Sequence, residues 1–245
     1  MSKPYVPQAT RSRFYVPKTL ADDFREFLDN DIPGAVMDYT VLADWYDQFK
    51  EDYTPVVVRG EIYPDTTKSR YADTDNNLNI RCAVDSGIKK GDMVIASEDQ
   101  TIYLLDWAIA PQPNNRASRA LRCNFRLNIK RHMEDILDER GYLVQEATDL
   151  VVVDNLPVNG YRYDGRPEYS AHAGSPGVTP GALTIVSVQY NSQTKNIHID
   201  DEFMWGDEVL VVIDLDRVSL DIDQEYGVLR LQCKKKAGGI LYEQE

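Results

Sequence analysis

Ala120-Leu121-Arg122-Cys123-Asn124-Phe125-Arg126-Leu127-Asn128-Ile129-Lys130-Arg131 alternates without a break. Leu121, Cys123, Phe125, Leu127 and Ile129 fall on one side, and Arg122, Asn124, Arg126, Asn128 and Lys130 on the other. A period of two is the signature of a strand with one face covered and one wet. This stretch therefore predicts β structure at the centre of the chain, with a basic outer stripe at Arg122, Arg126 and Lys130.

The same pattern extends towards the N-terminus. Leu78, Ile80, Cys82 and Val84 alternate with polar residues, and Met93–Ala96 and Thr101–Trp107 flank a turn at Glu98-Asp99-Gln100. Val56–Tyr63 reads as a strand ending at Pro64. About five short strands with tight turns predict a small barrel or sandwich. The polar stretch 64–77 is long for a passive connection, which makes it a candidate contact loop carrying Asp65, Lys68, Arg70, Tyr71 and Asp73.

Before Val56 the periodicity becomes helical. Leu20, Phe24, Phe27 and Leu28 suit a helix capped by Thr19 or Asp22. Val36, Tyr39, Leu42, Trp45, Tyr46 and Phe49 suit a second helix from Gly34 to about Lys50. Residues 1–18 carry three prolines and four basic residues, including Arg11 and Arg13, and read as an extended arm. A basic arm on an acidic chain invites contact between copies.

Towards the C-terminus, residues 132–148 read as a linker helix ended by Gly141, and residues 149–236 as a second β domain. Strands are expected at Val151–Val153, Leu183–Tyr190, Asn196–Ile199, Glu208–Asp214 and Val228–Cys233, with a loop-rich stretch at 154–181. Residues 237–245 form a C-terminal tail. The expected fold is mainly β with N-terminal helices. A small β-barrel-like domain (19–131) precedes a second antiparallel β-sandwich or barrel domain.

Composition bounds the function. The chain has 245 residues and a formal net charge of −13, which disfavours tight general binding to nucleic-acid phosphates. No apolar run approaches the length of a spanning helix. Met1–Pro7 lacks the apolar centre of a secretory signal. Cys82, Cys123 and Cys233 lie far apart and make neither a zinc cluster nor a disulfide framework. No G-x-S-x-G, phosphate loop or dinucleotide fingerprint occurs, and His132, His172 and His198 lack ligand spacing. Asp73-Thr74-Asp75 lacks the glycine and closing Glu of a calcium loop. Asp214, Asp216, Asp221 and Asp223 read as a solvated strand edge with Arg217 as local counter-charge. No catalytic residue, cofactor or metal is expected. Tyr and Trp are numerous enough to raise an alternative, a carbohydrate-binding or adhesion module built on Trp45, Trp107 and Trp205; Trp45 and Trp107 are expected in the core.

Two segments point further. Gly91-Asp92-Met93-Val94-Ile95 followed by Thr101-Ile102-Tyr103-Leu104-Leu105 resembles the Gly-Asp hairpin of the head-closure and head–tail connector proteins of tailed phages. Gly206–Ser219 followed by Gly227-Val228-Leu229-Arg230-Leu231 is similar to a stretch of larger members of that family. The resemblance implies a non-enzymatic virion protein of the neck. It would form a homo-oligomeric ring between the portal or adaptor protein and a tail-side connector or tail terminator, retaining packaged DNA. DNA would pass through without sequence-specific binding, helped by negative charge near the channel. The ring or partner interface is then expected at Arg11, Arg13, Asp65, Lys68, Arg70, Tyr71, Asp73, Arg122, Arg126 and Lys130.

Overall fold

The computed structural model describes residues 26, 36–64, 78–83, 85–108, 115–133, 136–137, 140, 142–145, 148–162, 184–217, 220 and 225–236. The expected arm, the contact loop 64–77 apart from Pro64, which ends a strand, and the tail lie outside the described residues. So does the expected first helix, apart from Glu26, which is exposed and helical.

Six strands close into a barrel: β1 (Val36–Leu42), β2 (Val56–Pro64), β3 (Leu78–Ala83), β4 (Met93–Ala96), β5 (Ile102–Ala108) and β6 (Asn115–Arg122), in the cyclic order 1-2-3-6-5-4. All neighbours are antiparallel. Closure leaves no edge strand open to foreign pairing. Tyr39, Val58, Ile80, Cys82, Val94, Leu105 and Ala120 fill the interior.

The helix expected over Gly34–Lys50 is not there. Its residues form β1 and a short 3-10 helix, Trp45–Phe49, capped by Asp44. The misleading signal has a physical origin. Tyr39 points into the barrel, whereas Leu42, of opposite parity, points outward into a second apolar core. A strand buried on both faces can show a spacing of three.

The second sheet has six antiparallel strands in the order β12-β13-β14-β11-β10-β7. They are β7 (Phe125–Met133), β10 (Thr148–Arg162), β11 (Thr184–Gln189), β12 (Glu202–Trp205), β13 (Glu208–Asp216) and β14 (Val228–Lys235). The sheet curls until its edge strands meet through side chains. Phe125 of β7 stacks on Trp205 of β12 at 5.4 Å between ring centroids and on Phe203 at 6.4 Å. Arg131 clamps Asp201 with two hydrogen bonds of 2.8 and 2.7 Å and donates a third to the Asn196 carbonyl. The Asp201 carboxylate holds the Arg131 guanidinium proton more tightly than usual. Gly206, at φ +59°, opens the two-residue turn from β12 to β13, where a II′ hairpin needs a positive angle.

Several expectations are corrected here. Asn196–Ile199 is not a strand; its place is taken by β12, and Thr194–Asn196 forms a 3-10 turn. β10 continues through residues read as loop, to Arg162, bulging at Asp154-Asn155, where Asn155 has φ +48°. The linker helix is replaced by β8 (Ile136–Leu137) and β9 (Leu143–Gln145), which pair with each other. Met133, Ile136 and Leu137 mimic helical spacing, but the ladder between β7 and β10 carries the chain onward as a hairpin. The alternating stretch 120–131 is two strands. The chain leaves the barrel after Arg122 and enters the second sheet at Phe125, a boundary earlier than the expected one.

The two halves share a core. Leu42, Trp45, Met93, Leu104 and Leu121 of the barrel pack in one cluster with Leu127, Ile129, Val186, Val188, Leu210 and Leu229 of the sheet. β4, β5 and β6 are thus buried on both faces, which explains adjacent apolar pairs such as Met93-Val94 and Leu104-Leu105.

Candidate functional site

Polar side chains join the two halves at their junction. Gln189, at the end of β11, is fully buried. Its side-chain amide donates at 3.0 Å to the carbonyls of Leu42, Ala43 and Gly91, and its Oε1 accepts the Trp45 amide at 2.7 Å. One side chain thereby satisfies backbone from three places in the barrel half. Around it, Asp44 Oδ2 accepts the Ser192 amide, and the Tyr46 hydroxyl donates to the Asp154 carbonyl. Nothing in Val188-Gln189-Tyr190 marks this role in sequence.

A second joint is ionic. Asp106, only 3% exposed, is the extra residue of a bulge between β5 and β6. Arg230 of β14 donates to both of its carboxylate oxygens at 2.9 and 3.0 Å. Arg119 approaches the same carboxylate at 3.9 Å, and Arg230 also faces its cross-strand partner Asp216 at 3.7 Å. Burial pulls the nearby Lys90 ammonium below its ordinary range, and Asp106 opposes that pull. Among the β13 carboxylates Asp216 thus faces Arg230; Arg217, expected as the local counter-charge, is exposed, and Asp221 and Asp223 lie outside the described residues.

The third joint is backbone on backbone. Gly91, at φ +90°, lies against Gly227, and a Cβ added there would stand 2.4 Å from the Gly227 carbonyl oxygen. Beside it the Asp92 carboxylate accepts the Lys89 amide and turns the chain into β4. Gly91→Ala must strain both the dihedral and the contact, with no flexible side chain to yield. We expect it to cost at least about 3 kcal/mol, read as a fall of about 6–12 °C in melting temperature.

Of the expected interface residues, Arg11, Arg13, Asp65, Lys68, Arg70, Tyr71 and Asp73 lie outside the described residues. Arg122, Arg126 and Lys130 are exposed, as the alternation requires. The stripe is not continuous in role. Asn124 exchanges two hydrogen bonds with the backbone of Gly160, and Asn128 accepts the Asn155 amide. Arg126 lies 5.1 Å over the Trp45 ring and donates to the Asn155 carbonyl. Asn128 and Arg126 brace the β10 bulge, and Asn124 ties the start of β7 to β10 at Gly160. Lys130 stands on the outer face opposite Val151, and Arg122 lies near Asp99, whose carboxyl is held below its ordinary range chiefly by hydrogen bonds from Thr101 and, to a smaller extent, by Arg122.

Trp45 is buried, and Trp205 is half-buried in the edge stack. Phe125 covers one face of Trp205 and Arg126 lies over the Trp45 ring, while the side chain of Trp107 lies outside what is described. Among the described residues no group of three or more His, Cys, Asp or Glu could hold a metal ion. No helix among them is long and apolar enough to cross a membrane.

Cys82 and Cys233 are fully buried, and burial pushes both thiols from an ordinary value near 9 up to about 12. Because the thiolate is the reactive form, neither should react with a thiol-selective disulfide reagent at pH 8 until the chain unfolds. The linkage has a definite sign. The raised folded-state value favours the folded chain below about pH 9, and that contribution is lost as the pH rises towards 12. Equilibrium unfolding at stepped alkaline pH checks both points.

Comparison with protein-family models, with curated proteins and with solved structures finds no match for this chain.

Proposed function

We propose that this chain is a structural subunit of the head–tail connector of a tailed phage. In this reading copies assemble as a ring between the portal or adaptor protein and a tail-side connector or tail terminator, and packaged DNA passes through or is held there. The supporting observation is the Gly91-Asp92 hairpin. It opens β4, returns through β5 with Tyr103 on the strand, and belongs to a closed six-stranded barrel. The hairpin and the closed barrel agree with the resemblance, whereas Tyr103, which the resemblance puts on the barrel surface, is half-buried against the barrel core.

Other features agree with the reading. The formal charge of −13 suits a conduit that must not grip phosphates. Val56 and Val57, at the start of β2, are each 57% exposed, a patch suited to cover by a neighbour. Three joints make each copy one solid block, as a ring bearing pressure needs.

The test is direct. The purified chain, alone and with a portal ring, is imaged by negative stain and weighed by mass photometry. Closed rings or stacking on the portal are the expected result. A chain that stays single in every mixture would end the proposal.

A further inference from the structure

β10 carries the one Asn-Gly pair of the sequence, Asn159-Gly160. In an open chain this dipeptide is chemically labile. Glycine leaves its own amide nitrogen unshielded by a side chain, and that nitrogen can attack the side-chain carbonyl of the asparagine before it. Gly160 N then bonds to Asn159 Cγ, and the Cγ–Nδ2 bond breaks. The amide proton leaves with the departing nitrogen as ammonia, and a five-membered succinimide remains. Water opens that ring at either carbonyl, to aspartate or to isoaspartate, in which the main chain runs through the side-chain carbon. Water is the only reagent consumed.

Packing at the junction asks for both residues. A Cβ on residue 160 would stand 2.6 Å from the Phe125 ring, so the stack of Phe125 on Trp205 needs glycine beside it. Asn159 is 1% exposed, and its Nδ2 donates at 2.7 Å to the carbonyl of Arg122, the last residue of β6. The same contacts hold the reaction off. The Gly160 amide, which must attack, donates at 2.9 Å to Asn124 Oδ1, and Asn124 Nδ2 donates back to the Gly160 carbonyl at 2.7 Å. The nitrogen that must leave is the one bonded to the Arg122 carbonyl. Asn159 and Gly160 also pair with Ser187 and Val186 of β11. Ring closure needs a rotation about the Asn159 Cα–C bond that takes it out of the extended range of an antiparallel ladder. Two of these locks, Arg122 and Asn124, sit at the passage from barrel to sheet.

We propose that Asn159 is a deamidation site held silent by the closed junction, so that its conversion is a permanent covalent record of barrel and sheet having parted. The products do not fit the native arrangement. Aspartate sets a carboxylate against the Arg122 carbonyl oxygen at a fully buried position. Isoaspartate adds a main-chain carbon and breaks the register between β10 and β11. A chain that stays open for long is thereby withdrawn from refolding. This holds whether or not copies assemble, and so goes beyond the ring reading.

The test follows the full-length chain at mildly alkaline pH, folded and, in parallel, unfolded in guanidinium chloride. Tandem mass spectrometry of the tryptic peptide 141–162 reads amide-to-acid conversion at Asn159. The folded chain should convert at least about a hundredfold more slowly, because the reaction waits on the open population. Equal rates in the two conditions overturn the proposal. Gln189→Ala loosens the junction without touching Asn159 and should speed conversion without denaturant by about tenfold or more. A Gln189→Ala chain that melts lower yet converts at the parent's rate overturns the link to the junction. Asn159→Asp, the conversion product made by mutation, should melt at least about 10 °C below the parent or fail to refold from denaturant. An Asn159→Asp chain that refolds and melts as the parent does overturns the claim that conversion removes the chain from refolding.

Discussion

Gln189→Ala is expected to destabilise the chain by about 3–5 kcal/mol, which for a chain of this length lowers the melting temperature by about 10–15 °C. The side chain is fully buried, and its amide serves four backbone groups across the junction. Truncation leaves the Trp45 amide and the Gly91 and Leu42 carbonyls without this partner, in a buried place where Asn191, which also donates to Gln189, is the nearest remaining polar side chain named among the described contacts. Each buried orphan costs about 1–3 kcal/mol, less where water can enter the space left. Gln189→Glu should be no remedy. It keeps the acceptor for Trp45 but sets a carboxylate against three carbonyl oxygens. Urea titration of both variants, followed by tryptophan fluorescence from Trp45, measures the effect. A loss under about 1 kcal/mol in Gln189→Ala would mean the junction is not held this way.

Arg230→Ala is the second large effect, about 3–5 kcal/mol. Removing the guanidinium leaves the Asp106 carboxylate buried, with Arg119 at 3.9 Å and the nearby Lys90 as remaining cations among the described residues. The informative comparison is the double replacement Asp106→Leu/Arg230→Met. It removes both charges and fills the space with apolar atoms, so it should recover most of the loss. If the single and double variants are equally unstable, the pair matters through packing, not charge. Near-ultraviolet circular dichroism shows whether the aromatic packing of the junction survives in each.

The barrel was legible in sequence wherever a strand has one wet face. β2, β3 and the β4–β5 hairpin fall close to where alternation and turn residues put them. Legibility failed where both faces are covered. In β1 the outward Leu42 and inward Tyr39 produce a helix-like spacing. In 120–131 the alternation carries across Cys123-Asn124 although the chain changes sheets there, because Asn124 bonds to Gly160 much as a paired strand residue would. The ribbon at 132–149 was hidden for another reason: its apolar residues happen to match a helical repeat, and pairing with β10 is a non-local fact. The exposed basic positions Arg122, Arg126 and Lys130 followed from parity alone. The role of Arg126 in bracing the β10 bulge did not, since its partners Trp45 and Asn155 are remote in sequence.

The two-residue passage at Cys123-Asn124 has a mechanical consequence. A connection so short, with its asparagine tied into the neighbouring strand, offers no hinge. Load applied to the barrel is delivered to the sheet at full leverage, with no compliance in between. In an assembly of the kind proposed above, opening or shutting would then fall to sliding between neighbouring subunits and not to bending between barrel and sheet.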